Sequence, residues 1–166
     1  MSAPQITLGG IPLSVYSGAP DQSGEPLEGA TLVRMSEGAG VKMSHWGKAA
    51  GSISGQGLLP LGLDALDYGS SLELRLTMPK SIASESPIVT LTTACRPDRS
   101  PWAYALVDGD WKRTPCALAG DVATATEVPG AERYLVQWMP MYQVFASEPP
   151  TSMNTAHGWT INWEEA

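Results

Sequence analysis

The sequence carries little charge for its length. Only 16% of its 166 residues are Asp, Glu, Lys or Arg, against about 25% in typical soluble domains. Phenylalanine is also scarce, with one residue, whereas the chain holds six Trp, five Tyr and seven Met. Buried surfaces between subunits lose charged residues and gain Trp, Tyr and Met. The composition therefore favours a protein that covers part of its surface with other chains. A neutral β domain coated with Ser and Thr is the alternative.

Basic clusters and long apolar runs are both missing. The net charge is −7 and the pI is about 4.7. Contacts to phosphates or to an anionic membrane surface need clustered Lys and Arg, so we expect no sequence-specific nucleic acid binding. No apolar run approaches the roughly 18 residues of a membrane span, and we expect no membrane insertion. The opening MSAPQITLGG lacks the basic and apolar regions of a secretory signal, which predicts synthesis in a cytoplasm.

Cysteine is limited to two residues, Cys95 and Cys116. Neither belongs to a CxxC pair, and two residues cannot form a four-cysteine metal site. A disulfide is geometrically open to them if their strands are neighbours. Because a cytoplasm keeps thiols reduced, we favour two buried thiols over a disulfide.

The chain also lacks helical periodicity. It contains 17 Gly and 14 Pro, and no helical apolar stripe extends beyond about two turns. Gly9-Gly10 and Asp108-Gly109 instead predict tight hairpin turns. Pro140 predicts that residues 132–146 form two strands or one bent edge strand. Strand-like composition or alternation occurs in residues 5–8, 11–16, 30–35, 41–46, 71–78, 87–95, 102–107, 111–114, 122–128, 132–146 and 158–164.

These segments predict an all-β fold, either a β-sandwich or a β-barrel. At most one or two short helical turns are expected, and residues 63–66 are the candidate. Composition shows no break along the chain, so we interpret residues 1–166 as a single β domain. The polar segments 17–29 and 148–157 predict long surface loops that can reach a neighbouring subunit.

Motifs for phosphate and hydrolase chemistry fail on specific residues. A phosphate-binding loop needs Ser or Thr after its Gly-Lys pair, but Ala49 follows Gly47-Lys48. A nucleophile elbow needs a central serine, and residues 51–55 (GSISG) place isoleucine there.

Candidate general bases are equally sparse. His45 could act with Asp64 or Asp67, but nothing in their spacing requires it. We interpret His45 as a strand residue with one hydrogen-bonded nitrogen. His157 is the only other histidine, and no HxH or HxxxH pattern supports a metal site. We therefore expect no catalytic residues, no cofactor and no metal.

The glycine-rich stretch 41–68, VKMSHWGKAAGSISGQGLLPLGLDALDY, is better explained by backbone shape. Glycine permits positive φ and close backbone approach. The stretch predicts a strand, a glycine-hinged corner and a leucine-rich return. The leucine-rich segment must bury its apolar side chains, either in its own core or against a neighbour. The candidate subunit contacts are Leu58, Leu59, Leu61 and Trp46.

Residues 30–75, ATLVRMSEGAGVKMSHWGKAAGSISGQGLLPLGLDALDYGSSLELR, resemble minor tail proteins of long-tailed bacteriophages. The ending YQVFASEPPTSMNTAHGWTINWEEA resembles the end of those proteins as well. The shared pattern consists of glycines, a Trp and a Leu-Asp pair rather than a catalytic signature. Leu59-Pro60-Leu61 departs from it where paired prolines are frequent, which bears on loop shape.

The resemblance implies a virion structural protein of the tail tube end, or of the tail tip or baseplate. It implies a β-sandwich or a tail-tube-like β-barrel, and a symmetric ring for which a hexamer is favoured and a trimer is the alternative. The implied partners are neighbouring tail tube and tail-tip proteins, and the location is the virion tail, assembled in the host cytoplasm.

A second hypothesis is a receptor- or carbohydrate-binding β-sandwich module. Sugars stack on exposed aromatic rings, and six Trp residues motivate this hypothesis. However, Trp159 and Trp163 alternate with Ile161, which predicts that the three share a core face. A third hypothesis, an enzyme, lacks any set of nucleophile, base and orienting group.

Overall fold

The computed structural model describes residues 3–13 and 19–166, and every regular element in these residues is a β-strand. They form two compact units. The first comprises Met1–Pro12 and Glu73–Tyr142, and the second comprises Leu13–Leu72 and Gln143–Ala166. The predicted all-β fold is confirmed. None of the sheets formed by the described residues closes into a barrel, so the sandwich alternative fits. The single-domain interpretation stays a prediction.

The strands are numbered in chain order. They are β1 (Thr7–Leu8), β2 (Ile11–Pro12), β3 (Asp21–Arg34), β4 (Gly40–Gly57), β5 (Leu72–Arg75), β6 (Lys80–Ser84), β7 (Ile88–Thr90), β8 (Trp102–Val107), β9 (Asp110–Thr114), β10 (Cys116–Ala119), β11 (Val122–Ala125), β12 (Arg133–Trp138), β13 (Met141–Ala146), β14 (Thr151–Met153) and β15 (His157–Glu165).

The first unit contains two antiparallel sheets around one apolar core. One sheet has the strand order β6-β12-β8-β9 and the other the order β10-β11-β7. Alternate residues of β8 and β12 point into the core and are buried, whereas their neighbours in sequence are more exposed. The same core receives side chains from β7 and β11. Such two-sided burial is the arrangement of a β-sandwich. Its buried members are Val89, Leu91, Ala103, Ala105, Val107, Ala123, Ala125, Tyr134, Val136 and Trp138.

Both predicted hairpin turns are present in the first unit. Gly9 and Gly10 have φ of 57° and 83°, and they join β1 to β2. Asp108 and Gly109 have φ of 52° and 82°, and they join β8 to β9. Positive φ at both central residues is the requirement of the turn whose twist matches a hairpin. The predicted strand 11–16 ends at Pro12, and its residues 14–16 lie outside the described part of the chain.

The second unit is built on β4, which pairs with β3 on one side and with β15 on the other. Trp159, Ile161 and Trp163 of β15 are buried, as the alternation predicted. Their register partners on β4 are Gly55, Ile53 and Gly51. A Cβ at Gly55 would lie 2.8 Å from Cζ2 of Trp159, and one at Gly51 would lie 2.9 Å from Cζ2 of Trp163 and would overlap the Ser23 carbonyl of β3. The two glycines therefore make room for the two indoles.

Several sequence expectations differ from the structure here. Residues 21–29 were expected in a surface loop, but they belong to β3. This polar segment is an edge strand whose residues are mostly exposed, so burial imposes no apolar alternation on it. The corner expected among the glycines from Gly47 to Gly62 does not occur before Gly57, because β4 continues without a break to that residue. Gly62, with φ of 76°, lies in the loop that follows. Residues 151–153 of the expected loop 148–157 form β14, and β6 and β10 were not anticipated.

Pro140 separates β12 from β13, which confirms the two-strand alternative for residues 132–146. Residues 63–66, the candidate helical turn, form a turn in which the Leu66 N–H donates to the Leu63 carbonyl at 3.2 Å. None of the described residues belongs to a helix that could cross a bilayer.

Candidate interaction surface on the hairpin arm

The outer part of the β3–β4 hairpin extends beyond the strands that flank its base. β15 pairs with β4 from Gly57 to Ala50, whereas β3 and β4 continue as a pair to Arg34 and Gly40. We call residues 27–48 the arm. Nearly all of its residues are exposed, including every residue from 31 to 48. Among the described strands, none pairs with the outer side of either arm strand, so both are edge strands whose backbone groups another strand could bond.

The tip of the arm is held by hydrogen bonds. The Gly38 N–H donates to the Met35 carbonyl at 2.8 Å, and the Met35 N–H donates to the Ala39 carbonyl at 2.9 Å. The Arg34 guanidinium also donates to the Gly38 carbonyl at 3.1 Å, and Gly38 supplies the positive φ of 82°. The arm is thus an ordered ribbon with a defined turn.

The two faces of the arm differ in chemistry. Side chains of directly paired residues share a face, and faces alternate along each strand. Register places mostly apolar side chains on one face, of which Val33 is 43% exposed, Met43 53% and Trp46 53%. We call this the apolar face, and it consists of Leu27, Thr31, Val33, Val41, Met43 and Trp46, with Lys48 beside Leu27 at its base. The opposite face carries Glu28, Ala30, Leu32, Arg34, Lys42 and Ser44.

An ion pair marks the opposite face. Lys42 Nζ lies 2.6 Å from Glu28 Oε2, and both side chains are about half exposed. Exposed pairs of this kind contribute about 0.2–1 kcal/mol, so this pair orients the arm's charges more than it stabilises the arm. Lys48, the register partner of Leu27, lies at the base of the apolar side. From Gly29 towards the tip, the paired residues carry their charges on the opposite face, so this part of the arm is amphipathic.

Trp46 owes its position to a glycine and a bulge. Its register partner is Gly29, and a Cβ on Gly29 would overlap the Trp46 indole. His45 is the extra residue at a register shift between Gly29 and Ala30. Bulges of one residue re-aim the side chains beyond them. Trp46 therefore lies flat across the backbone of β3, and its other ring face remains accessible.

The predicted contact residues fall in two places. Trp46 lies on the arm, whereas the leucines follow β4 in the loop 58–71. Leu58 is 69% exposed and Leu59 49%, and Leu61 is half-buried. Leu61 lines a cleft of about 230 Å³ that also includes Leu63, Pro149 and Trp159. Their role as subunit contacts stays a prediction, and the structure adds Val33, Val41 and Met43, which sequence reasoning missed.

The residues tested for acid–base chemistry have structural surroundings. His45 is exposed on the arm. Asp67 accepts hydrogen bonds from the Ser70 hydroxyl at 2.7 Å and from the Gly69 N–H at 3.0 Å. These bonds, the Ser70 one foremost, lower the pKa of Asp67. A carboxylate held in this way shapes a turn. In the described residues, no three His, Cys, Asp or Glu side chains group as a metal site would require.

The two cysteines are free thiols, as favoured over a disulfide, and each is partly buried. The Cys95 thiol donates to the Arg99 carbonyl at 3.3 Å. Both side chains pack against the core of the first unit, and burial raises the pKa of each thiol. Raised pKa values and apolar surroundings are the properties of structural rather than reactive thiols.

The chain was compared with known protein families, with curated proteins and with solved structures, and none of them matches it.

Proposed function

We propose that this chain is a structural subunit that assembles with copies of itself through the arm. The observation that carries the proposal is the apolar face, where Val33, Met43 and Trp46 are each exposed by more than two-fifths on an ordered ribbon. Exposed apolar patches rimmed by polar residues mark contact sites. Association is favourable because another protein surface removes this apolar face from water.

A second copy of the chain is the occupant that the arm favours. Both edges of the arm offer unpaired backbone groups, and the arm of a neighbouring copy offers the same edges and the same apolar face. Edge pairing combined with burial of one face is a recurrent mode of protein recognition. In a closed ring every subunit gives and receives the same contact, so no arm remains uncovered.

The biological setting we propose is a bacteriophage tail. The pattern in residues 30–75 that resembles minor tail proteins contains most of the arm and the loop with Leu58, Leu59 and Leu61. We propose a symmetric ring at the tail tube end or in the tail tip or baseplate, hexameric in preference to trimeric, that joins adjacent tail proteins. The low charge content and the exposed arm support an assembling protein over a free monomer.

The experiment compares two variants with opposite placement on the arm. Val33→Ser with Met43→Ser removes apolar side chains from the apolar face, and Leu32→Ser removes one, 60% exposed, from the opposite face. Light scattering coupled to size-exclusion chromatography gives the mass of each. We expect oligomers for the parent chain and for Leu32→Ser, and monomers for the double variant. Negative-stain images of the parent chain, alone and with neighbouring tail proteins, give the symmetry.

Two results would contradict the proposal. One is a parent chain that stays monomeric at every concentration, alone and with other tail proteins. The other is a double variant that associates as strongly as the parent chain while circular dichroism shows both to be folded.

A further inference from the structure

The sheet β6-β12-β8-β9 has a second face, opposite the core of the first unit. Because Ala103, Ala105, Tyr134 and Val136 point into the core, the residues that alternate with them point outward. Register brings these residues together in rows that cross the strands. We call this the outer face, and it consists of Ser81, Ala83, Trp102, Tyr104, Leu106, Trp111, Arg113, Arg133, Leu135 and Gln137.

Three aromatic side chains and two arginines lie on the outer face, and one of them, Trp102, is fixed in place. Trp102 Nε1 donates to Gln137 Oε1 at 2.7 Å. The Arg99 guanidinium lies over the Trp102 ring, 5.5 Å from its centroid. Trp111 is 46% exposed. Trp, Tyr and Arg are the residues enriched in the energetically dominant parts of protein interfaces. Because Arg99 covers one face of the Trp102 ring, the arrangement suits a protein partner better than a stacked sugar.

Charge on the outer face has one prevailing sign. Arg99, Arg113 and Arg133 all lie on it or at its rim, and Arg133 has a weak ion pair with Glu85 at 3.7 Å. Arg113, on β9 at the edge of the same sheet, is exposed. This face is therefore basic in a chain whose net charge is −7, and it is complementary to an acidic surface.

The negative charge of the chain is concentrated in the second unit. Seven Lys and Arg against eight Asp and Glu give the first unit a net charge of −1, whereas three against nine give the second unit −6. These two values account for the net charge of the whole chain. The second unit of a neighbouring copy therefore provides an acidic surface for the basic outer face.

An acidic depression lies on the second unit, at the base of the arm. Glu25 of β3, Ala50 of β4, Glu164 of β15 and Phe145 of β13 are successive register partners in one row. Side chains in one row share a face, and the small Ala50 between the two carboxylates leaves a depression of about 450 Å³. Phe145 is 52% exposed at its side. In the described part of the chain, neither Glu25 nor Glu164 forms an ion pair.

We propose that the outer face of one copy docks on the row Glu25–Ala50–Glu164–Phe145 of another copy. Guanidinium groups of the outer face meet the two carboxylates, and a planar guanidinium suits both carboxylate and aromatic partners. The contact joins two different surfaces, so it is heterologous and leads to a ring or to an open helical filament. It rests on the self-assembly proposed above but uses none of the residues of the apolar face.

Charge reversal on each side separately provides the test. One variant carries Glu25→Arg and Glu164→Arg, and the other carries Arg113→Glu and Arg133→Glu. Like charges facing each other at an interface disfavour association strongly, so sedimentation in 50 mM salt should show self-association weakened by about tenfold or more for each variant. An equimolar mixture of the two should associate as the parent chain does, because each then meets its complement. Circular dichroism confirms that each variant is folded.

The outcomes separate this inference from the proposed function. If the charge reversals leave association unchanged while Val33→Ser with Met43→Ser abolishes it, the docking contact is wrong and the arm proposal stands. If each variant associates weakly alone and the equimolar mixture also associates weakly, the docking contact is overturned. If the parent chain is monomeric in every condition, both proposals fail. A glycan that protects Trp102 and Trp111, with association unaltered by the reversals, would assign the outer face to sugar binding instead.

Discussion

The indole of Trp159 covers the backbone of Gly55 on the neighbouring strand, where a Cβ would lie 2.8 Å from its Cζ2 atom. Trp163 and Gly51 repeat the relationship four residues along the strand, with Ile53 and Ile161 paired between them. The glycines of GSISG therefore accommodate the tryptophans of GWTINW, more than 100 residues later in the sequence, and Gly51 also accommodates the Ser23 carbonyl of β3. The glycine-rich stretch is part of a packed sheet rather than the lining of a catalytic loop.

The first prediction concerns this packing. Gly55→Ala should lower the free energy of unfolding by about 1–3 kcal/mol, because the added methyl group forces the buried Trp159 ring to shift. Gly47→Ala, on the same strand, is the matched control because no heavy atom lies within 4 Å of its added Cβ. Urea unfolding followed by tryptophan fluorescence measures both. Equal stability of the two variants would contradict the packing argument.

The second prediction concerns the buried Arg96. Its side chain is 1% exposed and makes a two-pronged contact with Asp98, with Nε to Oδ1 at 2.6 Å and Nη2 to Oδ2 at 2.7 Å. Its Nη1 donates to the Leu76 carbonyl at 3.1 Å. Asp98→Ala leaves this buried cation without its counter-charge and should cost about 3 kcal/mol at pH 7. Glu127→Ala removes an exposed carboxylate and serves as the control.

The same pair predicts an acid dependence. Hydrogen bonding to Arg96 lowers the pKa of Asp98 below its usual value. The folded state therefore binds the proton less readily than the unfolded state, whose Asp pKa is about 3.9. The stabilisation is complete above that pH and is lost as pH falls through the folded-state pKa. Urea unfolding at a series of pH values should show a smaller acid loss for Asp98→Ala than for the parent chain, and equal losses would contradict this.

The third prediction concerns the thiols. Because burial raises the pKa values of Cys95 and Cys116, less thiolate forms in the folded state than at the usual Cys pKa of about 8.5. Reaction with a disulfide reagent at pH 8 should be slower in the folded chain than in urea. The linked stability is complete below about pH 8.5 and declines as pH rises through the folded-state values. Fast labelling of both thiols without urea would contradict the prediction.

The fourth prediction concerns the leucines that follow β4. Leu58 is 69% exposed and Leu59 49%, so Leu58→Ser with Leu59→Ser should change the free energy of unfolding by less than about 1 kcal/mol. If they are subunit contacts, the same variant should associate more weakly than the parent chain in sedimentation. Leu63→Ser, which alters a leucine only 2% exposed in the same loop, should instead destabilise the fold. Unaltered association of the double variant would remove these leucines from the set of contacts.

The sequence predicted strands best where local chemistry decides the structure. Gly9-Gly10 and Asp108-Gly109 form hairpin turns because two adjacent residues that tolerate positive φ match the requirement of that turn. Pro140 ends a strand because it has no N–H to donate. Trp159, Ile161 and Trp163 were placed in the core by alternation alone. These features depend on residues within a few positions of one another.

Long-range partners explain most of what the sequence could not predict. Residues 21–29 have a loop-like composition, and they form a strand because they pair with residues 46–54 of β4. Gly51 and Gly55 suggested a corner, and only the register with β15 shows that they accommodate indoles. Val33, Val41 and Met43 were assigned to strands, but their exposure became visible only with the arm's position beyond β15. A register shift at His45 has no signature in the sequence.

The order in which the chain contributes to the two units determines which unit can fold first during synthesis. The first unit draws most of its residues from Glu73–Tyr142, which lies between the two segments of the second unit. The base of the arm is fixed by contacts such as Ala49 N–H to Glu165 Oε2, which joins positions 116 residues apart. Contacts between such distant positions form slowly and late. On the ribosome, residues 73–142 can therefore fold before β15, the pairing partner of β4, has been synthesised. The apolar face of the arm is synthesised early, but the sheet that anchors the arm is complete only when β15 pairs with β4.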